Sequence, residues 1–346
     1  MSCESAVRLL LEDGELASRH AGLHRLEGAR LLITGASGII GLNLLAALAA
    51  ARAAGVSMDI YASVQRPPSD ALNRVAHAAG AIVVASDLST PQGVEDLPIA
   101  DIIVHAAGSG DPGVFLARKA ETLSIGACAT LALIRRLPPN GRLLFLSSSE
   151  VYQGLDGRIA DESLCGTTTP QHPRAAYIEA KRAGEAACVV GREAGLTTTV
   201  ARIAITYGPG ARLGDTRVVN ALIERSLRQP TTQLLDSGAA IRTLIYTRDA
   251  VELLWRIALQ GRESIYNVAG KTVVTVKEMA EIVAGATHSR LESGRGDGAA
   301  GAAREVRLDL TRVLTEFPKT DFLDLEGGIA RTVEWYRSLL EVDARA

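Results

Sequence analysis

The sequence predicts an α/β fold: a Rossmann-like, doubly wound parallel sheet with a smaller C-terminal substrate-binding domain. Three observations carry that prediction. Short apolar runs alternate with helical segments from residue 29 to about 204, the mark of a parallel sheet. A glycine turn, Gly35-Ala-Ser-Gly38-Ile-Ile-Gly41, joins the first run to the first helix. Beyond Tyr207 the alternation gives way to short strands and helices of mixed length. The expected division is a helical extension at 1–28, a dinucleotide-binding domain at 29–204 plus about 239–262, and a cap at 205–238 and 263–346.

Composition narrows the class. The 346 residues are 47% hydrophobic and only 4% aromatic, so Ala, Leu, Val and Ile build the core. A net charge of −2 argues against a nucleic-acid or membrane-surface partner. No apolar run reaches spanning length, and Met1-Ser-Cys-Glu-Ser lacks a signal-peptide pattern. Four cysteines and six histidines show no metal spacing, so no metal site and a reducing, cytoplasmic setting are expected.

The extension carries an amphipathic pattern, Val7, Leu10, Leu11, Leu23 and Leu26, suited to packing on the domain or on a partner subunit. Residues 29–34 read as a buried strand and 42–54 as a helix. Strand, glycine turn and helix together set backbone N–H groups and a helix N-terminus to hold a pyrophosphate. The second strand, 58–63, ends without the acid that holds a ribose 2′-hydroxyl; Ser63, Gln65 and Arg66 stand there, and an arginine accepts a 2′-phosphate. NAD is the expected cofactor, with NADP possible. The third strand ends at Asp87 and the fourth, from Asp101, at His105-Ala-Ala-Gly108. A long helix is expected over 115–136, then the fifth strand, whose end carries Ser147-Ser-Ser-Glu150-Val-Tyr152. Thr197 to Tyr207 reads as the sixth strand, and 291–303, rich in Gly, Ala and Ser, as a mobile loop. Ligands of parallel sheets lie at strand C-terminal ends. Gly38, Ser63, Asp87, Gly108 and Ser148 all fall there, which predicts one shared site.

A second motif lies off the strands. Tyr177 and Lys181, four apart in an Ala-rich segment entered by Pro170 and Pro173, share one helical face with Arg174. An ammonium beside a phenol favours the phenolate, so Tyr177 is expected to act as a base near neutral pH.

Taken together, residues 29–340 resemble the extended short-chain dehydrogenase/reductases that act on sugar nucleotides. The likeness rests on Thr34-Gly-x-x-Gly-x-x-Gly41, Asp87, His105-Ala-Ala, Ser-Ser-Ser-Glu-Val-Tyr and Tyr177-x-x-x-Lys181. Within that superfamily the sequence is similar to the UDP-glucuronate decarboxylases through Ser148-Ser-Glu150-Val-Tyr, Pro173-Arg174-Ala-x-Tyr177-x-Glu179-x-Lys181-Arg182 and Asp215-x-Arg217-Val-Val. The resemblance implies Ser148, Tyr177 and Lys181 as catalytic triad, with Glu150 assisting. It implies cofactor contacts from Gly35, Ser37, Gly38, Ile39, Ile40 and Gly41, from Ser63 and Arg66, from Asp87 and Leu88, from Ala106, Ala107 and Gly108, and from Tyr177 and Lys181. Ser149, Arg174, Arg217 and Arg242 are the implied substrate contacts, and a homodimer the implied assembly. Three departures bear on the substrate: Ile205 where that family has Asn, Gly210 where it has Arg, and Gln153 where it has Gly.

The expected chemistry is transient oxidation at C4 of a nucleotide sugar. A C6 carboxylate then makes the product a β-keto acid that loses CO₂. A 4-epimerase, a 4,6-dehydratase and a catalytically quiet nucleotide-binding protein are the alternatives.

Overall fold

The computed structural model describes residues 3–155, 157–294, 296 and 301–343. Its centre is a seven-stranded, wholly parallel sheet: β1 (Arg30–Thr34), β2 (Asp59–Val64), β3 (Ala81–Ala85), β4 (Ile102–His105), β5 (Arg142–Ser148), β6 (Thr197–Ile203) and β7 (Ile265–Val268). The spatial order is β7-β6-β5-β4-β1-β2-β3. The chain reverses direction across the sheet between β1 and β4, which opens a crevice at their C-terminal ends.

Alternation along each strand feeds two cores. Leu31 and Ile33 of β1, with Leu144 and Leu146 of β5, point to one face; Leu32, Leu143 and Phe145 point to the other. The first face is covered by the helix Ile39–Ala53, which is apolar nearly all round because the N-terminal helix Cys3–Ala21 lies on its outer side. The two helices cross at Gly14, where a Cβ would sit 2.4 Å from the Ala46 carbonyl carbon. Residues 3–26 therefore pack on their own domain, with Leu10 and Leu26 fully buried.

The second face holds the helix Ala175–Glu193 and the segment before β5. The long helix expected over 115–136 is helical without a break from Lys119 to Arg135, but it starts later and is not regular throughout. A short turn, Pro112–Phe115, precedes Lys119–Ser124, a π-type turn at Ile125–Ala129, and Thr130–Arg135. Close packing accompanies the distortion: a Cβ on Gly126 would meet the Ala180 carbonyl oxygen at 2.5 Å.

Four expectations shift in the C-terminal part. The run 197–207 divides at Ala204, and Ile205–Tyr207 leaves the main sheet to pair with Ile241–Tyr246. That second strand also pairs antiparallel with Val273–Thr275, so 241–246 belongs to a small separate sheet. Conversely, β7 falls within the stretch assigned to the cap but is the edge strand of the central sheet, beside β6. The 291–303 loop begins as a strand, Arg290–Glu292, parallel to Thr231–Gln233; part of the rest lies outside the described residues.

Candidate active site

A cleft of about 1150 Å³ runs along the C-terminal edge of the sheet. It exceeds what one small ligand fills and suits two. One wall is backbone. Gly35 has φ 68°, and a Cβ there would lie 2.6 Å from the Ala106 carbonyl oxygen. A Cβ on Gly41 would lie 2.4 Å from the Gly35 carbonyl oxygen. Only glycine permits this compact turn, which ends at the N-terminus of Ile39–Ala53 with no side-chain cap. Uncapped N–H groups at the end of a 15-residue helix suit a pyrophosphate. Thr34 accepts from Ala107 N at 3.3 Å and bonds His105 Nδ1 at 2.7 Å, which ties β1 to the Ala106–Gly108 turn. His105 is fully buried, and burial with the nearby Lys181 charge pushes its pKa down to about 3, so it is a neutral packing group. These features fit a dinucleotide.

Of the expected cofactor residues, the structure brings Ser37–Gly41, Ser63, Arg66, Leu88 and Ala106–Gly108 to this cleft. Asp87 is not among its lining residues. The Asp87 carboxylate accepts from Ser89 N (3.0 Å), Ser89 Oγ (2.7 Å) and Gln65 Nε2 (3.1 Å), contacts that hold it below its ordinary pKa. Gln65 thus braces the end of β2 against that of β3, a contact not legible from either segment.

The floor is formed by β5 and the helix Ala175–Glu193. Ser148 and Tyr177 are both buried, and the serine hydroxyl lies near enough to the phenol to favour its ionised form. Lys181 lies one turn on, its Nζ donating to the Leu146 carbonyl at 2.7 Å and standing 5.7 Å from the Tyr177 ring centre. The expected phenolate is not what this arrangement favours by itself. Burial pushes Tyr177 up to about 12, only partly offset by the nearby Ser148 hydroxyl. Burial also pushes Lys181 down to about 8, against the pull of Glu185. Desolvation penalises both charged forms here, and the ammonium is engaged by a carbonyl rather than by the phenol. Phe115 stacks on Tyr177 with ring centres 4.4 Å apart and fixes its plane, a contact the sequence reading missed.

The other wall is a set of ion pairs. Arg174, immediately before the helix rather than on its face, pairs with Glu150 and lies over Phe115 at 5.4 Å. Arg217 pairs with Asp215 through Nε–Oδ1 at 3.0 Å. Arg212 reaches the buried Asp111 at 2.9 Å, and Thr216 and Gly113 N also donate to that carboxylate. Burial pushes Asp111 up, but these donors more than offset it, so it stays ionised below the ordinary carboxylate pKa. Asp111 caps the short turn Pro112–Phe115, and its bridge to the segment 212–216 was not legible in the sequence. Arg242 lines the cleft and donates to its own carbonyl neighbour Ile241 at 2.8 Å. Ser149 and Ile205 also line it.

A glycine turn under a dinucleotide-sized cleft, with a serine, a tyrosine and a lysine at its floor, defines a Rossmann-fold dinucleotide-binding site. The profile of the NAD dependent epimerase/dehydratase family matches residues 31–269, and the chain belongs to that family. NAD is accordingly its cofactor. Among curated relatives, UDP-glucuronic acid decarboxylase 1 of Danio rerio is 28% identical over 248 residues, 70% of this chain but only 59% of that protein. UDP-glucuronic acid decarboxylase 5 of Arabidopsis thaliana is 27% identical over 318 residues, covering 90% of this chain and 91% of that one. Among solved structures, MoeE5 in complex with UDP-glucose and NAD superposes with a TM-score of 0.75 at 25% identity, over 90% of this chain and 99% of that one. The UDP-glucose 4-epimerase of Thermotoga maritima (TM-score 0.76, 21% identity, 90% of this chain and 99% of that one) shares the fold.

Proposed function

We propose that this chain oxidises C4 of a nucleotide sugar transiently and decarboxylates a substrate of the UDP-glucuronate type. The observation that carries this reading is the meeting of Tyr177 and Ser148 on the cleft floor with the Glu150–Arg174 pair beside them. The decarboxylase relatives support it. When bound, NAD⁺ supplies reversible two-electron oxidation and the positive charge that a buried phenolate needs. Tyr177 takes the proton of the C4 hydroxyl, and Ser148 holds that hydroxyl in line by hydrogen bonding. Lys181 keeps a positive charge under the floor, anchored by Leu146. Oxidation at C4 places a ketone β to the C6 carboxylate, and the C5–C6 bond then breaks with release of CO₂. Arg242, which lines the cleft, is assigned to that carboxylate, a role its planar, bidentate guanidinium suits. The C4–C5 enolate left by CO₂ takes a proton at C5 from water, the hydride returns to C4 by the reverse of the first two-electron step, and Tyr177 gives its proton back to the C4 oxygen.

A second reading is 4-epimerisation of a neutral sugar, which needs only the same C4 oxidation at Ser148, Tyr177 and Lys181; the complex of MoeE5 with UDP-glucose keeps a neutral sugar in view. Incubation with NAD⁺ and UDP-glucuronate, UDP-glucose or UDP-N-acetylglucosamine, followed by mass spectrometry, separates the two. Loss of CO₂ from UDP-glucuronate is the expected result; an isomer of unchanged mass from any of them replaces this reading with the second. For assembly, Leu123, Val189 and Val190 leave apolar surface exposed on the two helical segments of the second face, which supports the expected homodimer. Among the described residues no helix is long and apolar enough to cross a membrane.

A further inference from the structure

We infer that Gln153 is a specificity-determining residue whose amide carbonyl accepts a hydrogen bond from a hydroxyl of the bound sugar. The inference rests on the reading of the cleft as a nucleotide-sugar site and adds a contact to it. Gln153 follows the turn that carries Glu150, lines the cleft, and is 8% exposed. Its amide orientation is set by its neighbours. Nε2 donates to the Gly301 carbonyl, an acceptor that only the NH₂ group can face, and lies 3.3 Å from His172 Nε2. This leaves Oε1 as the other end of the amide. Oε1 is shielded from solvent yet has no hydrogen-bond partner among the described residues.

Two further atoms on this wall share that condition. Glu150 Oε2 and Arg174 Nε are buried and unpartnered, although Glu150 Oε1 and the Arg174 terminal nitrogen engage each other. A folded protein seldom strands buried polar atoms, and three grouped on one cleft wall mark groups kept for a ligand. Their chemistry selects the ligand. Two are acceptors, one of them on a carboxylate, so this wall asks for hydrogen-bond donors. The hydroxyls of a sugar supply them; a diphosphate or a carboxylate facing this wall does not. The subsite thus lies in the same cleft as the carboxylate position assigned to Arg242 and discriminates on the hydroxyl face of the sugar.

The test compares binding of UDP with binding of UDP-glucuronate, UDP-glucose and UDP-N-acetylglucosamine by calorimetry, on protein saturated with NADH. The quantity read is the gain in affinity of each UDP-sugar over UDP. Gln153→Met keeps the volume and removes the acceptor; Gln153→Gly removes both. Both variants are expected to lower that gain by about three- to tenfold for the sugars that the wild type prefers to UDP, with UDP itself bound as before. A gain unchanged in both variants overturns the inference. So does an equal loss for UDP and UDP-sugar, or a wild type that binds no UDP-sugar better than UDP. Failure of the decarboxylase reading is scored separately, by the absence of CO₂ release, and leaves the binding comparison intact for the two uncharged sugars. If one variant does not fold, as judged by its thermal transition, the other decides.

Discussion

The two walls of the cleft are built on opposite principles. The cofactor wall is backbone: glycines too close to carbonyls to bear a Cβ, an uncapped helix end, and a threonine binding two strands together. The substrate wall is side chains: Glu150 with Arg174, Asp111 with Arg212, Asp215 with Arg217, and an amide between them. Backbone recognises what every dinucleotide shares, so its geometry is rigid and general. On the proposed reading, charged pairs recognise what differs between sugars, and can be exchanged residue by residue without disturbing the sheet. Tyr177 and Lys181 stand at the seam, where the two ligands must meet.

The comparison can be broken most sharply at that seam. Tyr177→Phe should lower turnover by roughly a thousandfold, the usual span for a lost general acid–base group, while NADH and UDP-sugar binding persist in titrations. If turnover survives, the floor is not the reacting centre and the walls do not serve one reaction.

The backbone wall is tested next. Gly41→Val places atoms where a Cβ already meets the Gly35 oxygen at 2.4 Å. The expected loss is about 2 kcal/mol, or roughly thirtyfold in NADH affinity by fluorescence titration. UDP-sugar affinity should change far less, and an equal loss on both ligands would erase the distinction between the walls.

Lys181 sharpens the seam through pH. Its folded pKa of about 8 lies below the ordinary 10.5, so the folded protein binds fewer protons than the unfolded chain between those values. The cost of burying its charge is therefore fully present below about pH 8 and is relieved as pH rises toward 10.5. Activity should move the opposite way and fall above about pH 8 as the ammonium is lost. Lys181→Met should abolish that activity limb and raise Tm by about 2–4 °C at neutral pH, read by calorimetry.

The smallest effect is expected on the substrate wall. Asp111→Asn removes the charge that holds Arg212, which is itself half exposed. KM for the UDP-sugar should rise about fivefold, with NADH affinity unchanged, because a partly solvated pair contributes only about 1 kcal/mol. A change in NADH affinity instead would mean that Asp111 serves the cofactor.

Much of this architecture follows from local sequence. The apolar runs of β1 to β5, the glycine turn and the Tyr177–Lys181 spacing are set by neighbours within a few residues, whose sterics and periodicity act wherever the chain goes. They determined the Rossmann sheet, the position of the cleft and the residues on its floor. Tertiary structure decided the rest. It moved β7 into the main sheet, stacked Phe115 on Tyr177, turned Asp87 toward Ser89 and Gln65, and paired Arg212 with an aspartate 101 positions away. It also decided how Tyr177 and Lys181 titrate. Spacing on a helix states that two groups are near, but burial states what their charges cost, and burial exists only once the helix has been laid against the sheet.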